Sequence, residues 1–248
     1  MLIGTVAAGA LCLVAPRSAH AGPDACVVGP MNVVTCSGNQ SGGIDAGFSG
    51  DFNPVPGTRL VINNLTQDIG SLSSGDGIRW AISANGLPVD VTSNTGSFSI
   101  RASAVGINLN TAGAPVTLNH TGNIFAQQGI RAGASGISGG GQISVSMNGN
   151  IVSDTTGIFV SSRTLPVDSD TAPVAVNFTG NITSATRRAI FAESSVFGGN
   201  GNGGAVTVSS NGDIVGTIQA ESRVSTDGGF PGAGNGISGT VERRARAV

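Results

Sequence analysis

The sequence has no tyrosine and no lysine, and charged residues make up only 10 % of its 248 positions. All twelve basic residues are therefore arginines, and the formal net charge at pH 7 is −2. A nucleic-acid binder needs a basic surface to neutralise phosphates, so this composition argues against such a partner. The composition also argues against a disordered chain, because 39 % of the residues are hydrophobic and the mean hydropathy is positive.

Glycine is the most informative residue that the chain does have. Forty glycines are present, but they follow no Gly-X-Y period, which excludes a collagen-like triple helix. The remainder is rich in Ser, Thr, Asn, Val and Ile, so we expect an exported β protein.

The first 21 residues carry the pattern of a cleaved signal peptide. An apolar run from Leu2 to Ala15 is followed by Ala19-His20-Ala21, a small-x-small cleavage pattern before Gly22. The run is too short to span a bilayer, and we expect no transmembrane segment in the mature chain. No basic residue precedes Arg17, so either the true start lies upstream or Met1 is internal.

Two cysteines would remain after cleavage. Cys26 and Cys36 are ten residues apart with Gly29-Pro30 between them, which favours a local disulfide in an oxidising compartment. A metal site is the competing interpretation, but the mature chain would offer only one histidine, His120, as a further soft ligand. We predict the disulfide, and we predict no metal and no other cofactor.

An internal repeat dominates residues 61 to 220. Its members are alternating strands that end in Gly-Asn/Asp-Ile: residues 116–124, 143–151, 174–182 and 206–214, preceded by two weaker copies at 61–69 and 89–98. The predicted coil anchors are Ile69, Phe98, Ile124, Ile151, Ile182 and Ile214, spaced 29, 26, 27, 31 and 32 residues apart. A second short strand follows each anchor, for example Gly129-Ile-Arg-Ala132 and Gly157-Ile-Phe-Val160.

A period of two within strands and of about 30 residues between them predicts coils whose equivalent strands stack in parallel. The fold class is therefore all-β, a right-handed parallel β-helix, or solenoid, of about six coils with an N-terminal cap. We divide the chain into a signal peptide (1–21), a cap with the disulfide (22–60), the repeats (61–220) and an incomplete coil with an irregular basic tail (221–248). Three Gly/Ser/Pro-rich stretches, 133–142, 161–173 and 193–205, are interpreted as inserts between coils. They are either tolerated surface variation or a binding face.

Candidate catalytic residues are few. His120 aligns with Met147, Phe178 and Ser210, so we expect it to pack in the core and not to serve a catalytic triad. Trp80 aligns with Leu109 and Ala132 and is likewise expected in the core.

The best acidic cluster consists of Asp154, Asp168 and Asp170 with Arg163 between them. Loop solubility explains it more simply than glycan chemistry or cation binding. We therefore predict no catalytic, cofactor-binding or metal-binding residue.

The signal-like start, the segment from Cys26 to Cys36 with the following Ser37-Gly-Asn-Gln-Ser-Gly-Gly-Ile44, and the Gly-Asn-Ile coils together resemble the N-terminal passenger region of Gram-negative bacterial autotransporters, especially adhesin-like ones. The resemblance implies a β-helical passenger that a C-terminal translocator barrel, acting in cis, carries across the outer membrane to the cell surface. The sequence after Ile214 has no tyrosine and no run of ten-residue strands, so the barrel is missing and we expect a truncated or frame-shifted chain, or release by another route.

The expected function is that of a secreted or surface-displayed passenger that is not an enzyme and that adheres to glycans or other cell surfaces. Two alternatives stay open. One is a glycan-active β-helix of the polysaccharide lyase or hydrolase kind, and the other is a structural stalk or truncated gene product without a ligand.

Overall fold

The computed structural model describes residues 24–45, 59–82, 87–137, 139–165, 169–197, 201–225 and 240–244. These residues form a parallel β-solenoid of about 6 turns, and about two thirds of them lie in strands. The predicted fold class is thus confirmed. The predicted signal peptide lies outside the described residues.

The strands follow one another with short connections. In chain order they are β1 Val27–Val28, β2 Val33–Gly38, β3 Ile44–Asp45, β4 Arg59–Leu65, β5 Ile78–Ile82, β6 Val89–Arg101, β7 Val105–Thr111, β8 Val116–Ala126, β9 Gln128–Gly136, β10 Ile143–Asn148, β11 Ile151–Ser153, β12 Thr156–Thr164, β13 Val174–Thr179, β14 Ile182–Phe197, β15 Val206–Asn211, β16 Ile214–Ser225 and β17 Thr240–Arg244. A single 3₁₀ turn, Pro30–Asn32, is the only helical element among the described residues. No helix in this part of the chain is long and apolar enough to cross a membrane.

Each coil contributes to three stacks of parallel strands. The first sheet contains β2, β4, the start of β6, the start of β8, β10, β13, β15 and β17. The second, narrow sheet contains β11 and the strand segments around Ile100, Ile124, Ile182 and Ile214. The third contains β3, β5, β7, β9, β12 and the later parts of β14 and β16.

The core lies inside these three stacks because side chains alternate inward and outward along each strand. In the first sheet, Val91, Leu118, Val145, Val176 and Val208 are in register and are all fully buried. In the third sheet the same holds for Ile78, Ile107, Ile130, Ile158 and Ile190. The alternation read from the sequence is confirmed in both sheets.

Five of the six predicted anchors occupy one inward column of the second sheet, but Phe98 does not. Ile100 pairs with Ile124 and forms a bridge to Ile69, and it is fully buried, whereas Phe98 is half-buried. The prediction for Phe98 is therefore wrong. The cause is an insertion: β6 has four residues between Asn94 and Ser99 where β8 has one, Gly122, between Thr121 and Asn123.

The corner glycine of the repeat has the conformation that the motif predicts. Gly122, Gly149, Gly180 and Gly212 have φ between +129° and +143°, and a Cβ on Gly149 would lie 2.0 Å from the carbonyl oxygen of Gly122. At Gly149, Gly180 and Gly212 any other residue would meet both an unfavourable φ and the backbone of the neighbouring coil, and at Gly122 it would meet the Thr95 side chain.

The residue after each corner glycine links neighbouring coils. The Oδ1 atom of Asn123 accepts a 3.0 Å hydrogen bond from the backbone N–H of Asn150, Asn150 does the same for Asn181, and Asn181 for Asp213. The asparagines thus follow one another along the axis, and each side chain pairs with the backbone N–H of the next coil. This satisfies a polar backbone group at every corner.

The predicted inserts are more ordered than loops. β9, β12 and β14 extend into them as far as Gly136, Thr164 and Phe197 and stay in parallel register. The described residues of the three inserts, 133–137, 139–142, 161–165, 169–173, 193–197 and 201–205, are called the insert lobe below. Their return segments hydrogen-bond to one another, as in Ala172 N–H to Gly140 O at 3.1 Å and Thr171 N–H to Asn202 O at 3.0 Å.

Both ends of the chain extend the stack beyond residues 61 to 220. In the predicted cap, β1 runs antiparallel to β2, and β2 already pairs in parallel with β4. Within the tail that was predicted to be irregular, β17 pairs in parallel with β15.

Candidate binding face

The outward side of the first sheet is a flat surface of hydroxyl and amide side chains, here called the polar face. Two of its rows run along the solenoid axis: Thr92, Asn119, Ser146, Asn177 and Ser209, and beside them Asn94, Thr121, Asn148, Thr179 and Asn211. The second row is exposed throughout, and Asn119, Ser146 and Asn177 are exposed in the first. Neighbouring strands are about 4.8 Å apart, so successive side chains within each row repeat at that spacing. The face therefore presents a regular array of hydrogen-bond donors and acceptors.

The polar face is close to neutral. β17 adds one acidic and one basic residue, Glu242 and Arg244, in register with Ser209 and Asn211, and in β4, β6, β8, β10, β13 and β15 the charged residues of this face are Arg59 and Asp90. They neutralise each other, with Arg59 Nε 3.5 Å from Asp90 Oδ2, and Arg59 also donates to the hydroxyl of Thr92 at 2.9 Å. Such a surface favours uncharged hydrogen-bonding partners over strongly charged ones.

A cleft of about 220 Å³ opens where the insertion in β6 interrupts the polar face. It is lined by Asn63, Asn64, Leu65, Asn94, Thr95, Gly96, Ser97 and Phe98. Phe98, displaced from the anchor column, therefore forms part of a surface depression instead of the core. β-Bulges commonly redirect side chains next to functional sites.

His120 is a packed core residue, as its register predicts. It lies in one column with Ser93, Met147, Phe178 and Ser210, and only 2 % of its surface is exposed. Burial lowers the pKa of His120 to about 4, while the backbone near Gly122 acts weakly in the opposite direction. The imidazole is therefore neutral at pH 7 and inaccessible to a substrate.

Trp80 and the two cysteines are also found where the sequence places them. Trp80 is fully buried in register with Leu109. Cys26 and Cys36 form a disulfide with their Cα atoms 4.3 Å apart.

The proposed acidic cluster around Arg163 does not form between the members that the structure describes. Asp154 and Asp170 are exposed, and Asp170 accepts a 2.6 Å hydrogen bond from the backbone N–H of Asn202. Asp168 lies outside the described residues. Arg163 pairs instead with Glu193, at 3.1 Å between Nη2 and Oε2.

This ion pair was not predicted from the sequence. In the structure, Glu193 is buried and lies next to Ser161 in β12. Arg163 also donates from Nε to the Ser161 hydroxyl at 2.8 Å, so the carboxylate, guanidinium and hydroxyl form one cluster in the insert lobe. The next coil carries a second pair, Glu221 with Arg223. The sequence does carry one signal for a repeated charged position here, because Glu-Ser-x occurs at residues 193–195 and again at 221–223. The interpretation of 193–205 as an insert did not use it.

Within the described residues, no three His, Cys, Asp or Glu side chains gather closely enough to hold a metal ion.

Comparison with known proteins adds no relative. No protein-family model, no curated protein and no solved structure matches this chain. Its functional interpretation therefore depends on its own surface.

Proposed function

We propose that this protein is an exported, autotransporter-type passenger that acts at the cell surface or outside the cell as a non-enzymatic adhesive solenoid. The observation that carries the proposal is the polar face, a flat and nearly neutral array of hydroxyl and amide groups repeated over at least five coils. Repetition gives many weak contacts to one extended partner, so avidity can supply attachment where a single contact would not.

The position of the titratable groups supports a non-enzymatic function. The neutral, buried His120 cannot act as an accessible general base, and the carboxylate of Asp170 is held by Asn202. Glu193, the buried carboxylate of the insert lobe, is paired with Arg163. The resemblance to adhesin-like passengers and the predicted signal peptide support export.

Attachment of coated particles tests the proposal. Microspheres that carry the purified chain should attach to cells or to glycan-coated surfaces, and Ser146→Glu should reduce attachment about tenfold. The reason is that a carboxylate in the centre of the polar face must be desolvated when an uncharged partner binds.

Ser135→Glu is the matched control, because Ser135 is also exposed but lies in the third sheet. It should leave attachment within twofold of the wild type. Absence of attachment by the wild-type chain, or an equal loss in both variants, would contradict adhesion through the polar face and favour a stalk.

A further inference from the structure

The cleft beside the polar face is the place where the repeat is interrupted most clearly. β6 uses three more residues than β8 between the first and second sheets, and these residues leave the stacked register. Ile100 fills the anchor column, so the inserted residues leave the core intact and place Phe98, half-buried, beside the polar face.

The cleft is held in a defined shape by its own hydrogen bonds. Thr95 donates from Oγ1 to the carbonyl oxygen of Phe98 at 2.7 Å, and Gly96 N–H donates to Asn94 Oδ1 at 2.9 Å. Gly96 has φ +61° and Asn64 has φ +49°, both in the left-handed region that only a few residue types adopt readily. A site fixed in this way loses little conformational entropy when a ligand binds.

The lining has the chemistry of a site for an uncharged polyol. Asn63 and Asn64 each offer donors and an acceptor, Asn94 offers its two N–H donors, and Ser97 adds a hydroxyl group, whereas the buried Thr95 hydroxyl is bonded to Phe98 O. Asn94 uses its oxygen for Gly96 but not its two N–H donors. None of the lining side chains is charged.

Phe98 adds an apolar surface to this set of polar groups. The ring is half-buried, so part of it lies at the wall of the cleft. A few polar groups combined with an aromatic side chain are typical of small-molecule sites, and the volume of about 220 Å³ is below the roughly 300 Å³ at which drug-sized pockets begin. The ligand is therefore the size of a single ring.

We propose that this cleft binds one residue of a neutral glycan, with the carboxamides contacting its hydroxyl groups and Phe98 contacting its C–H surface. The proposal rests on the adhesive function proposed above and assigns its ligand class. The cleft would then fix one sugar residue while the polar face contacts the rest of the chain.

Saturation-transfer NMR with neutral oligosaccharides of glucose, galactose, mannose and N-acetylglucosamine tests this directly. At least one should receive saturation from the wild-type protein, and Phe98→Ala should weaken its affinity about tenfold. Asn63→Ala should weaken it too, because donors and an acceptor are removed.

Phe125→Ala is the matched control, since Phe125 is another half-buried phenylalanine but lies in the second sheet against Arg101. It should change affinity less than twofold, and circular dichroism should confirm that both variants fold. No saturation of any neutral sugar, preference for an anionic glycan such as a heparin oligosaccharide, or an equal loss in both phenylalanine variants would overturn the proposal.

The two proposals fail in different ways. If Ser146→Glu abolishes attachment but Phe98→Ala changes no glycan affinity, the adhesive face stands and the cleft assignment is wrong. If the wild-type chain does not attach but binds a neutral oligosaccharide in solution, the cleft assignment stands and the adhesive function is wrong.

Discussion

The interior of the solenoid and the interior of the insert lobe use the same coil-on-coil stacking, but the solenoid is mainly apolar inside whereas the lobe mixes buried hydroxyl groups with Ala134 and Val196. In the solenoid, columns such as Leu118 and Val145 are fully buried and apolar. In the lobe, Ser162, Thr164 and Ser194 are just as deeply buried but polar. Parallel backbone pairing is thus sufficient to align the coils. The buried side chains determine how much stability each region loses when a residue is substituted.

Both regions use glycine where neighbouring coils approach closely, and the corners of the solenoid also require a positive φ. In the solenoid, the corner glycines provide a positive φ. In the lobe, Gly140 and Gly204 allow close approach, because a Cβ would come within 2.4 Å of Ser162 Oγ and 2.5 Å of Ala172 O respectively. The glycine-rich composition of the inserts therefore reflects packing and not looseness.

The largest effect should come from a cavity in the solenoid core. Leu118→Ala removes a fully buried side chain between two valines of adjacent coils, so the free energy of unfolding should fall by about 2 to 5 kcal/mol. Urea unfolding followed by circular dichroism measures this. The neighbouring exposed residue provides the control: Asn119→Ala should stay within about 0.5 kcal/mol of the wild type. A loss below 1 kcal/mol for Leu118→Ala would contradict the core assignment.

Substitution of His120, a buried polar residue in the solenoid core, should produce the next largest effect on stability. The size of this effect depends on pH. The pKa of His120 is about 4 in the folded chain and 6.5 in the unfolded chain, so between these values the unfolded state binds more protons. Stability from the neutral histidine is complete above pH 6.5 and is lost as the pH falls toward 4.

His120→Met should remove this dependence, because Met147 already fills the same column in the next coil. The stability of the variant relative to the wild type should increase by about 2 to 3 kcal/mol between pH 7.5 and pH 4.5, as measured by urea unfolding at both values. An unchanged difference at the two pH values would mean that His120 is hydrated in the folded chain.

The sequence predicts the solenoid better than the lobe for a physical reason. Apolar alternation and the Gly-Asn-Ile corner repeat in every coil, so the registers of Leu118 and His120 can be derived from spacing alone. Burial in the lobe depends on serine, threonine and glycine, which have the same composition as exposed loops. Nothing in the local pattern of Ser194 distinguishes it from a solvated serine.

The cleft was missed for a related reason. An alignment that allows one extra residue places the largest apolar side chain, Phe98, in the anchor column, whereas Ile100 fits there with three extra residues. Whether Phe98 or Ile100 enters the column depends on the space between Ile69 and Ile124. The periodicity of the sequence contains no information on that space.

A smaller effect should follow from breaking the ion pair in the lobe. Arg163→Met leaves the buried Glu193 carboxylate with the Ser161 hydroxyl at 3.5 Å, so unfolding free energy should fall by about 1 to 2 kcal/mol. The value is modest because the arginine side chain is 41 % exposed and its charge is partly screened. Adding Glu193→Gln should restore part of the loss, and a double variant no more stable than Arg163→Met would contradict a penalty from the unpaired charge.

The smallest effect should come from a single hydroxyl in the lobe. Ser194 accepts from Gly204 N–H at 2.9 Å and donates to Ala172 O at 3.2 Å, but Thr171 Oγ1 also accepts from Gly204 N–H at 2.8 Å. Ser194→Ala should therefore cost only about 1 kcal/mol, since the second hydroxyl keeps the buried N–H paired.

Removing both hydroxyls should give losses that are not additive, because each single change already breaks the hydrogen bond between Thr171 Oγ1 and Ser194 Oγ, whereas only the double change leaves Gly204 N–H unpaired. In the double variant Ser194→Ala/Thr171→Val, Gly204 N–H loses both side-chain acceptors, and a buried N–H without a partner is penalised by about 1 to 3 kcal/mol. A double-mutant cycle of unfolding free energies measures this coupling. Additive losses would mean that water replaces the hydroxyls, and the lobe would then be a hydrated edge of the solenoid. Coupled losses would mean that the lobe is a second core, which shared hydrogen bonds hold together, whereas apolar contacts hold the first core together.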